Sequence, residues 1–418
     1  MAQFLTFFNN DAVRMWVNCA PHSFYCSICG YCITFNADFK QFMEDLKPFF
    51  EESYFNDDNS RQYHSLQWGA NINYAFSPAF DVAEADIILV GCNEWRGAAD
   101  GNQRNGCADV VRQHLYELYH WHPGFVIADM GNIRQGARLG DSRAALAAVL
   151  KEIEDAGKIA IILGGSHDLT LQQYEVFRSR EQLAEAVVAD MLIDLNENEE
   201  TTDGSFLMDM LTNTPNFIAH YSHIGFQSYY AQPRMLETLD KLRFDFHRVG
   251  KVKENIDDME PVLRSANFFS FDISAVKYAD APANINGSPN GLSGEEACVL
   301  TRFAGMSSKL TSLGIYGYDH ATDAHDMTAK LITQMIWYFV DGLVMRRCEA
   351  DLADTSEFMI FNVSFTDNDT VFVKSKRTGR WWMRMPAGEY APCAYSDYLI
   401  ASANDMPERW LRMQERLL

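Results

Sequence analysis

The chain has 418 residues, of which 47% are hydrophobic and 13% aromatic, and its formal net charge at pH 7 is −22. This length suits one large α/β domain with additions. The negative charge argues against nucleic acid or an anionic membrane as a partner, because both would repel the chain. No apolar stretch is long enough to span a bilayer, and the first residues lack a secretory signal pattern, so we expect a cytoplasmic protein with reduced cysteines.

The chain divides into three predicted regions. Residues 1–80 are aromatic-rich and irregular and are predicted to form an N-terminal extension. From there to about residue 350, short β-rich runs alternate with helical patterns, which indicates a mostly parallel, doubly wound sheet with helices on both faces. The predicted strands cover 86–91, 124–129, 158–165, 187–194, 268–274 and 312–319.

Two helices and a β-hairpin complete the predicted architecture. The clearest helical pattern covers 141–157, where Asp141 is placed to cap the amino end and Gly157 to follow the carboxyl end. A long helix is predicted over 325–347. The region 351–418 begins with two β-rich runs joined by a polar turn, which predicts a hairpin. The "GRWWMRMP" segment that follows fits a binding surface or a packing surface equally well.

Ionisable side chains stand at the carboxyl ends of three predicted strands. His167 follows the turn Gly164-Gly165-Ser166, Asp194 ends "MLID", and Asp272 lies in "SFDIS". Because parallel strands present their carboxyl ends at one edge of the sheet, these side chains are candidates for a divalent metal site.

The motifs "GGSHDLT", "DLNEN" and "SFDIS", in this order, resemble those of the ureohydrolase family: arginase, agmatinase and formimidoylglutamase. That family carries GG-x-H, D-A-H-x-D and S-F-D-x-D and binds two manganese ions that share a bridging hydroxide. The resemblance covers about 85–350. The segments "HIGFQSYY", "SPNGLSGEEAC" and "KSKRTGRWWM" look most like a divergent formimidoylglutamase-like branch. The resemblance to this family implies a three-layer α/β/α arginase-like fold.

The resemblance also implies a ligand set, and this sequence departs from it. His167, Asp194 and Asp272 match ligand positions, and the two aspartates would bridge both ions. Three altered positions stand where the family has a histidine and two aspartates: Asn196, Asn198 and Ser274. One ion would keep His167 and the Asn198 amide, while the other would lose both of its own ligands. Two carboxylates cannot neutralise two divalent ions in a desolvated site, so we expect no metal, or one weakly bound manganese ion at most.

The substrate side is altered as well. Gly317 stands where the family places a glutamate that contacts the amidine group of the substrate. A cationic substrate would lose its charge-assisted partner there. We therefore predict a non-catalytic or catalytically altered relative used in binding or assembly. The alternative is an active hydrolase of C–N bonds in linear amidines, with a mononuclear or remodelled site.

Two further patterns and the partners complete the predictions. Cys26, Cys29 and Cys32, with Cys19 and His22 upstream, fit buried apolar thiols better than an iron–sulfur or zinc site. "DLNENEE" lacks the glycine and final glutamate of an EF-hand loop. The resemblance implies a homo-oligomer, and a protein partner or a small-molecule ligand remains open.

Overall fold

The computed structural model describes residues 46–52, 62–77, 80–101, 104, 108–197, 200–284, 286–365 and 368–417. Most of the predicted N-terminal extension, with its cysteine-rich segment, lies outside these ranges, and so does Asn198. No helix within the described ranges is both long and apolar enough to cross a membrane.

A ten-stranded sheet forms the centre of the molecule. Its strands run in the order β1-β4-β3-β5-β10-β9-β6-β7-β8, with β2 beside β4. They are β1 Phe50–Glu51, β2 Asn73–Tyr74, β3 Ile87–Cys92, β4 Ile127–Ile133, β5 Ile159–Gly164, β6 Ala184–Ala189, β7 Ile218–Phe226, β8 Asp245–Arg248, β9 Phe268–Asp272 and β10 Ser312–Tyr316. Strand β1 pairs antiparallel with β4, whereas the neighbouring pairs from β4 to β8 are parallel.

Helices cover both faces of this sheet. They are α1 Ala108–Glu117, α2 Leu139–Asp155, α3 Thr170–Arg178, α4 Phe206–Thr212, α5 Pro233–Lys241, α6 Val249–Glu254, α7 Met259–Arg264, α8 Gly294–Gly305 and α9 Met327–Arg347. One apolar core packs α1, α8 and α9 against one face, and a second packs α2, α3 and α4 against the other. The predicted three-layer fold is confirmed. Central strands such as β3, β9 and β10 are buried on both faces, which explains their nearly continuous apolar sequences.

Several local predictions differ from the structure. The strand predicted over 187–194 is β6, which ends at Ala189, so the chain has left the sheet well before Asp194. Helix α2 begins at Leu139, and Asp141 lies in its first turn, where its carboxylate accepts the Arg138 N–H, rather than at the cap. Gly157 does follow that helix, with φ of +67°. Strands β7 and β8 were not predicted, because polar residues interrupt their apolar pattern.

The C-terminal region forms a second, antiparallel sheet rather than a hairpin alone. Its order is β11-β12-β13-β14, and two helices pack on it. These elements are β11 Phe358–Phe365, β12 Asn368–Ser375, β13 Trp381–Arg384, β14 Tyr390–Cys393, α10 Tyr395–Ser402 and α11 Glu408–Leu417. Trp381 and Trp382 are buried, and the Arg264 guanidinium stacks 4.3 Å from the Trp382 ring centroid. The Arg264 guanidinium also donates to the Trp381 carbonyl at 2.7 Å, so the "GRWWMRMP" segment contacts α7 at these two residues.

Candidate metal centre

The candidate site lies where the carboxyl ends of β5, β6 and β9 meet. These strands lie close together in the middle of the sheet, separated only by β10, so the residues that follow them share one edge. His167 follows β5, Asp190 follows β6, and Asp272 is the last residue of β9. All three side chains are buried.

Contacts with Glu94 and Arg143 fix the turn that carries His167. Gly165 passes so close to Glu94 that a Cβ on it would lie 2.1 Å from the Glu94 carbonyl oxygen. A glycine is therefore required at this position. Buried Asp168 accepts hydrogen bonds from the Arg143 guanidinium at 2.6 and 3.0 Å. These contacts direct the neighbouring imidazole towards the strand ends.

Three carboxylates converge on one nitrogen of His167. Its Nδ1 lies 2.9 Å from Asp190 Oδ2, 3.4 Å from Asp194 Oδ2 and 3.9 Å from Asp272 Oδ2. The predicted residues His167, Asp194 and Asp272 are thus brought together. Asp190 joins them as a fourth member that the sequence analysis missed.

Asp190 changes how the motif is read. Because β6 ends at Ala189, Asp190 is the residue at the strand end, and the Leu192 N–H turns back to donate to Asp190 Oδ1 at 3.0 Å. Asp190 and Asp194 have the spacing of the two aspartates in D-A-H-x-D, with Leu192 at the histidine position. That spacing was the signal in the sequence that would have found Asp190.

Asn196 does not belong to this cluster. The prediction that it points the same way as Asp194 assumed an extended strand, and that assumption is wrong. Asn196 is exposed, and its N–H donates to the Gly204 carbonyl at 3.1 Å. Nothing is described of Asn198.

The carboxylates differ in what their two oxygens contact. Asp190 Oδ1 accepts the Ser274 hydroxyl at 2.6 Å, in addition to the Leu192 N–H. Asp272 Oδ1 accepts the Ser274 N–H at 2.7 Å and the Asn284 amide at 3.3 Å. The Oδ1 atoms are thus occupied by protein donors, while the Oδ2 atoms of the same residues face His167.

A second layer of hydrogen bonds orients His167. Its Nε2 lies 3.0 Å from Ser270 Oγ, which lies 2.6 Å from Thr170 Oγ1. Because Nε2 is held by this pair, Nδ1 is the nitrogen left to face the carboxylates. Partners of this kind fix the ring orientation and tautomer of metal-binding histidines.

Burial and neighbouring charges shift the pKa values of the four site residues. Burial alone would lower the pKa of His167, but the hydrogen bonds to Asp190 and Asp194 outweigh it and raise that pKa well above its usual value. Burial would raise the pKa of Asp190, yet His167 holds it at about 2. Burial, and then the charge of Asp190, raises the pKa of Asp272 to about 6 and that of Asp194 well above its usual value. The charges of His167 and Asp190 thus stabilise each other, whereas burial and the charge of Asp190 oppose ionisation of Asp194 and Asp272.

The donor set fits one divalent ion. Ligand atoms of His167, Asp190 and Asp272 lie within 4.8 Å of one another, which is the only such group of histidine, cysteine or acidic residues in the part of the chain described. Asp194 lies outside that group, but its Oδ2 is 3.4 Å from His167 Nδ1. Together the four residues offer one imidazole nitrogen and three carboxylate oxygens, a set suited to manganese or a similar ion. Three ionised carboxylates more than offset the charge of one divalent ion, so the charge shortfall expected for two ions does not apply to a single one.

Gly317 leaves no room for a side chain. It follows β10 with φ of +77°, and a Cβ on it would lie 2.4 Å from Asp272 Oδ2 and 2.9 Å from the Asn284 amide nitrogen. Asn284 donates to the Gly317 carbonyl at 2.9 Å. Residue 317 therefore supplies neither a carboxylate nor any side chain to a bound molecule.

Comparison with known proteins places this chain in a family. The model of the arginase family matches residues 85–341. A formimidoylglutamase of Staphylococcus haemolyticus is 21% identical over 275 residues, which cover 61% of this chain and 85% of that protein.

Solved structures show the same fold. The formimidoylglutamase of Bacillus subtilis aligns with a TM-score of 0.61 and 16% identity, over 72% of this chain and 97% of that one. Trypanosoma cruzi formiminoglutamase with manganese aligns with a TM-score of 0.58 and 17% identity, over 63% and 94%. The agmatine ureohydrolase of Thermoplasma volcanium aligns with a TM-score of 0.53 and 19% identity, over 63% and 91%. With its strand order, its motifs and the family match over most of the α/β domain, this chain belongs to the arginase family.

Proposed function

We propose that this protein is a one-metal member of the arginase family. In this proposal it binds a single divalent ion through His167, Asp190, Asp194 and Asp272 and no longer carries out two-metal hydrolysis. It retains the site for metal-dependent binding of a small ligand. One observation carries the proposal: the Oδ2 atoms of the aspartates converge on His167, whereas the Oδ1 atoms of Asp190 and Asp272 already accept hydrogen bonds from the protein.

The occupied oxygens argue against a second ion. In a two-metal centre the bridging carboxylates need a free oxygen for each ion. Here the Ser274 hydroxyl and N–H take the oxygens on that side, and Leu192, at the histidine position of the motif, offers no ligand atom. A second ion would have to displace these donors and find no ligand of its own in exchange.

The ligand side supports a changed specificity. Gly317 cannot accept a hydrogen bond through a side chain, so a cationic amidine would lack a charged partner at this position. A neutral or anionic small molecule held by the metal and by polar groups such as Asn284 suits this site better.

The alternative is a one-metal hydrolase of C–N bonds in linear amidines, which the likeness to formimidoylglutamases favours. A bound divalent ion would supply Lewis acidity and lower the pKa of water. Asp194 would then be the group that exchanges protons at the site, because burial and the charge of Asp190 raise its pKa well above its usual value.

Metal analysis tests the proposal. Protein loaded with excess Mn²⁺ and then desalted should retain one ion per chain by mass spectrometry. The Asp190→Asn variant should retain none, whereas the matched Asn196→Ala variant should retain the wild-type amount, because Asn196 is exposed and outside the cluster. Two ions per chain, or retention that is insensitive to Asp190→Asn, would overturn the proposal.

Activity separates the two functions. The loaded protein is incubated with a panel of linear amidines, including N-formimidoylglutamate, and ammonia, urea and formamide are measured. No release, together with one bound ion, supports the binding function. Release that depends on the ion and is lost in Asp190→Asn supports the hydrolase.

A further inference from the structure

The C-terminal sheet ends in a strand that has a partner on one side only. Strand β11 pairs with β12 from Phe358 to Phe365, in an antiparallel register without a break. On its other side, no strand of the described ranges pairs with it. The backbone groups on that side form an edge eight residues long.

This edge lacks the features that usually protect such strands from association. Its sequence, "FMIFNVSF", contains no charged residue and no proline. The unbroken register also means that no bulge twists the strand away. Long, regular and uncharged edges are the ones that pair with another strand.

Exposed apolar side chains accompany the edge. Met359 is 40% exposed and Ile360 is 51% exposed, and they point to opposite faces of the sheet because they are adjacent in a strand. Helix α10 packs over β11 through Tyr398, whose ring lies 5.2 Å from that of Phe361. The same helix exposes Tyr395 and Leu399. An edge partner would cover apolar surface as well as backbone.

The charge distribution indicates which partner fits. Residues 351–418 contain ten acidic and eight basic side chains, a net charge of −2, although the whole chain carries −22. Two copies repel each other through most of their surface but very little through this region. The nearly neutral edge is therefore the place where two copies can approach.

We propose that two copies of this chain associate through β11, with the two strands antiparallel across a two-fold axis. The two four-stranded sheets then form one continuous eight-stranded sheet. A two-fold axis perpendicular to the sheet keeps equivalent faces on the same side, so the α10 helices of both copies flank the junction. Such an interface is self-complementary, as closed dimers require.

The oligomeric state of the full chain tests this interface. Light scattering after size exclusion and sedimentation velocity, at several micromolar concentrations, should show a dimer. Ile360→Lys and, separately, Asn362→Lys place like charges at the junction and should weaken the dimer by about a hundredfold or more. Leu183→Lys is the matched control, since Leu183 is 66% exposed and lies just before β6, outside both β11 and α10. It should leave the dimer unchanged.

Hydrogen exchange gives an independent measurement. The β11 amides should exchange more slowly as the wild-type concentration rises, and this dependence should vanish in both edge variants. A wild-type monomer at all concentrations would overturn the proposal and assign the edge to another extended segment. A dimer that persists in both edge variants, with β11 exchange independent of concentration, would overturn it in favour of a different interface.

Discussion

The two sides of the candidate metal centre are built from the same carboxylates but have opposite environments. On the side of His167, the Oδ2 atoms of Asp190, Asp194 and Asp272 converge on one imidazole nitrogen. On the side of Ser274, the Oδ1 atoms of Asp190 and Asp272 accept hydrogen bonds from the protein. Neutral donors can therefore satisfy the carboxylate oxygens on the side where a two-metal site would place its second ion. The carboxylates on the other side still converge on His167.

The largest effect should come from replacing His167 itself. His167→Asn leaves the buried Asp190 carboxylate without its ion-pair partner, and breaking such a buried pair costs about 3–5 kcal/mol of unfolding free energy. Manganese retention should be lost as well. Denaturant unfolding of the metal-free protein and calorimetric titration with Mn²⁺ measure the two effects.

The matched control is His223→Asn, since buried His223 hydrogen-bonds to the cluster only through the backbone carbonyl of Asp190, while its Nδ1 pairs with the Tyr221 hydroxyl. Its effect on manganese affinity should be far smaller. Equal loss of affinity in both variants would mean that His167 holds the fold rather than the metal.

The Ser274 side can be converted into a second metal site if the comparison is right. Leu192→His with Ser274→Asp replaces a residue without a ligand atom and a hydrogen-bond donor by two metal ligands. Bound manganese should rise from one ion per chain to two, as measured by mass spectrometry. The control pairs Ser274→Asp with Asn196→His, which should stay at one ion because Asn196 is exposed. If the control variant bound two ions and the Leu192→His variant only one, Asn196 rather than Leu192 would stand at the histidine position of the motif.

Protons should compete with the metal on the His167 side. The pKa of Asp272 is raised to about 6 by burial and by the charge of Asp190. The metal requires the ionised carboxylate, so this group alone should weaken manganese binding about tenfold per pH unit below 6. Titration calorimetry between about pH 5 and 7 should show the decline and the release of protons on binding.

The metal-free protein should respond to Asp272 in the other direction. A carboxyl whose pKa is higher in the folded state stabilises the fold below its unfolded pKa of about 3.9, and this contribution is lost as pH rises through about 6. Manganese should therefore raise the melting temperature more at pH 7 than at pH 5. A melting-temperature shift that is equal at both values would remove Asp272 from the ligand set.

The smallest effect should come from the Ser270 hydroxyl, which contacts His167 Nε2. Ser270→Ala removes the partner of Nε2 and should weaken manganese binding by about 10-fold, the lower end for such partners. Ser312→Ala is the control, because Ser312 is also buried but contacts Gln173, outside the site. Equal affinities in the two variants would show that Ser270 does not orient the imidazole.

The architecture and part of the site follow from local patterns. Apolar runs that alternate with amphipathic segments permit few arrangements other than a doubly wound sheet, and such a sheet brings its strand ends to one edge. His167 and Asp272 stand in motifs at those ends, so the sequence identified them. Strands β7 and β8 escaped because their polar residues break the pattern.

By itself, then, the sequence determined the fold and the edge of the sheet that carries the candidate site. Only the tertiary structure decided which side chains meet there. Asp190 was missed because the predicted strand was carried on to residue 194, whereas β6 ends at Ala189, where the chain stops pairing with its neighbours. Its contact with Ser274 joins residues 84 positions apart. Such contacts decide which carboxylate oxygens face His167 and which face Ser274, because hydrogen bonds across the site depend on three-dimensional positions that no local pattern encodes.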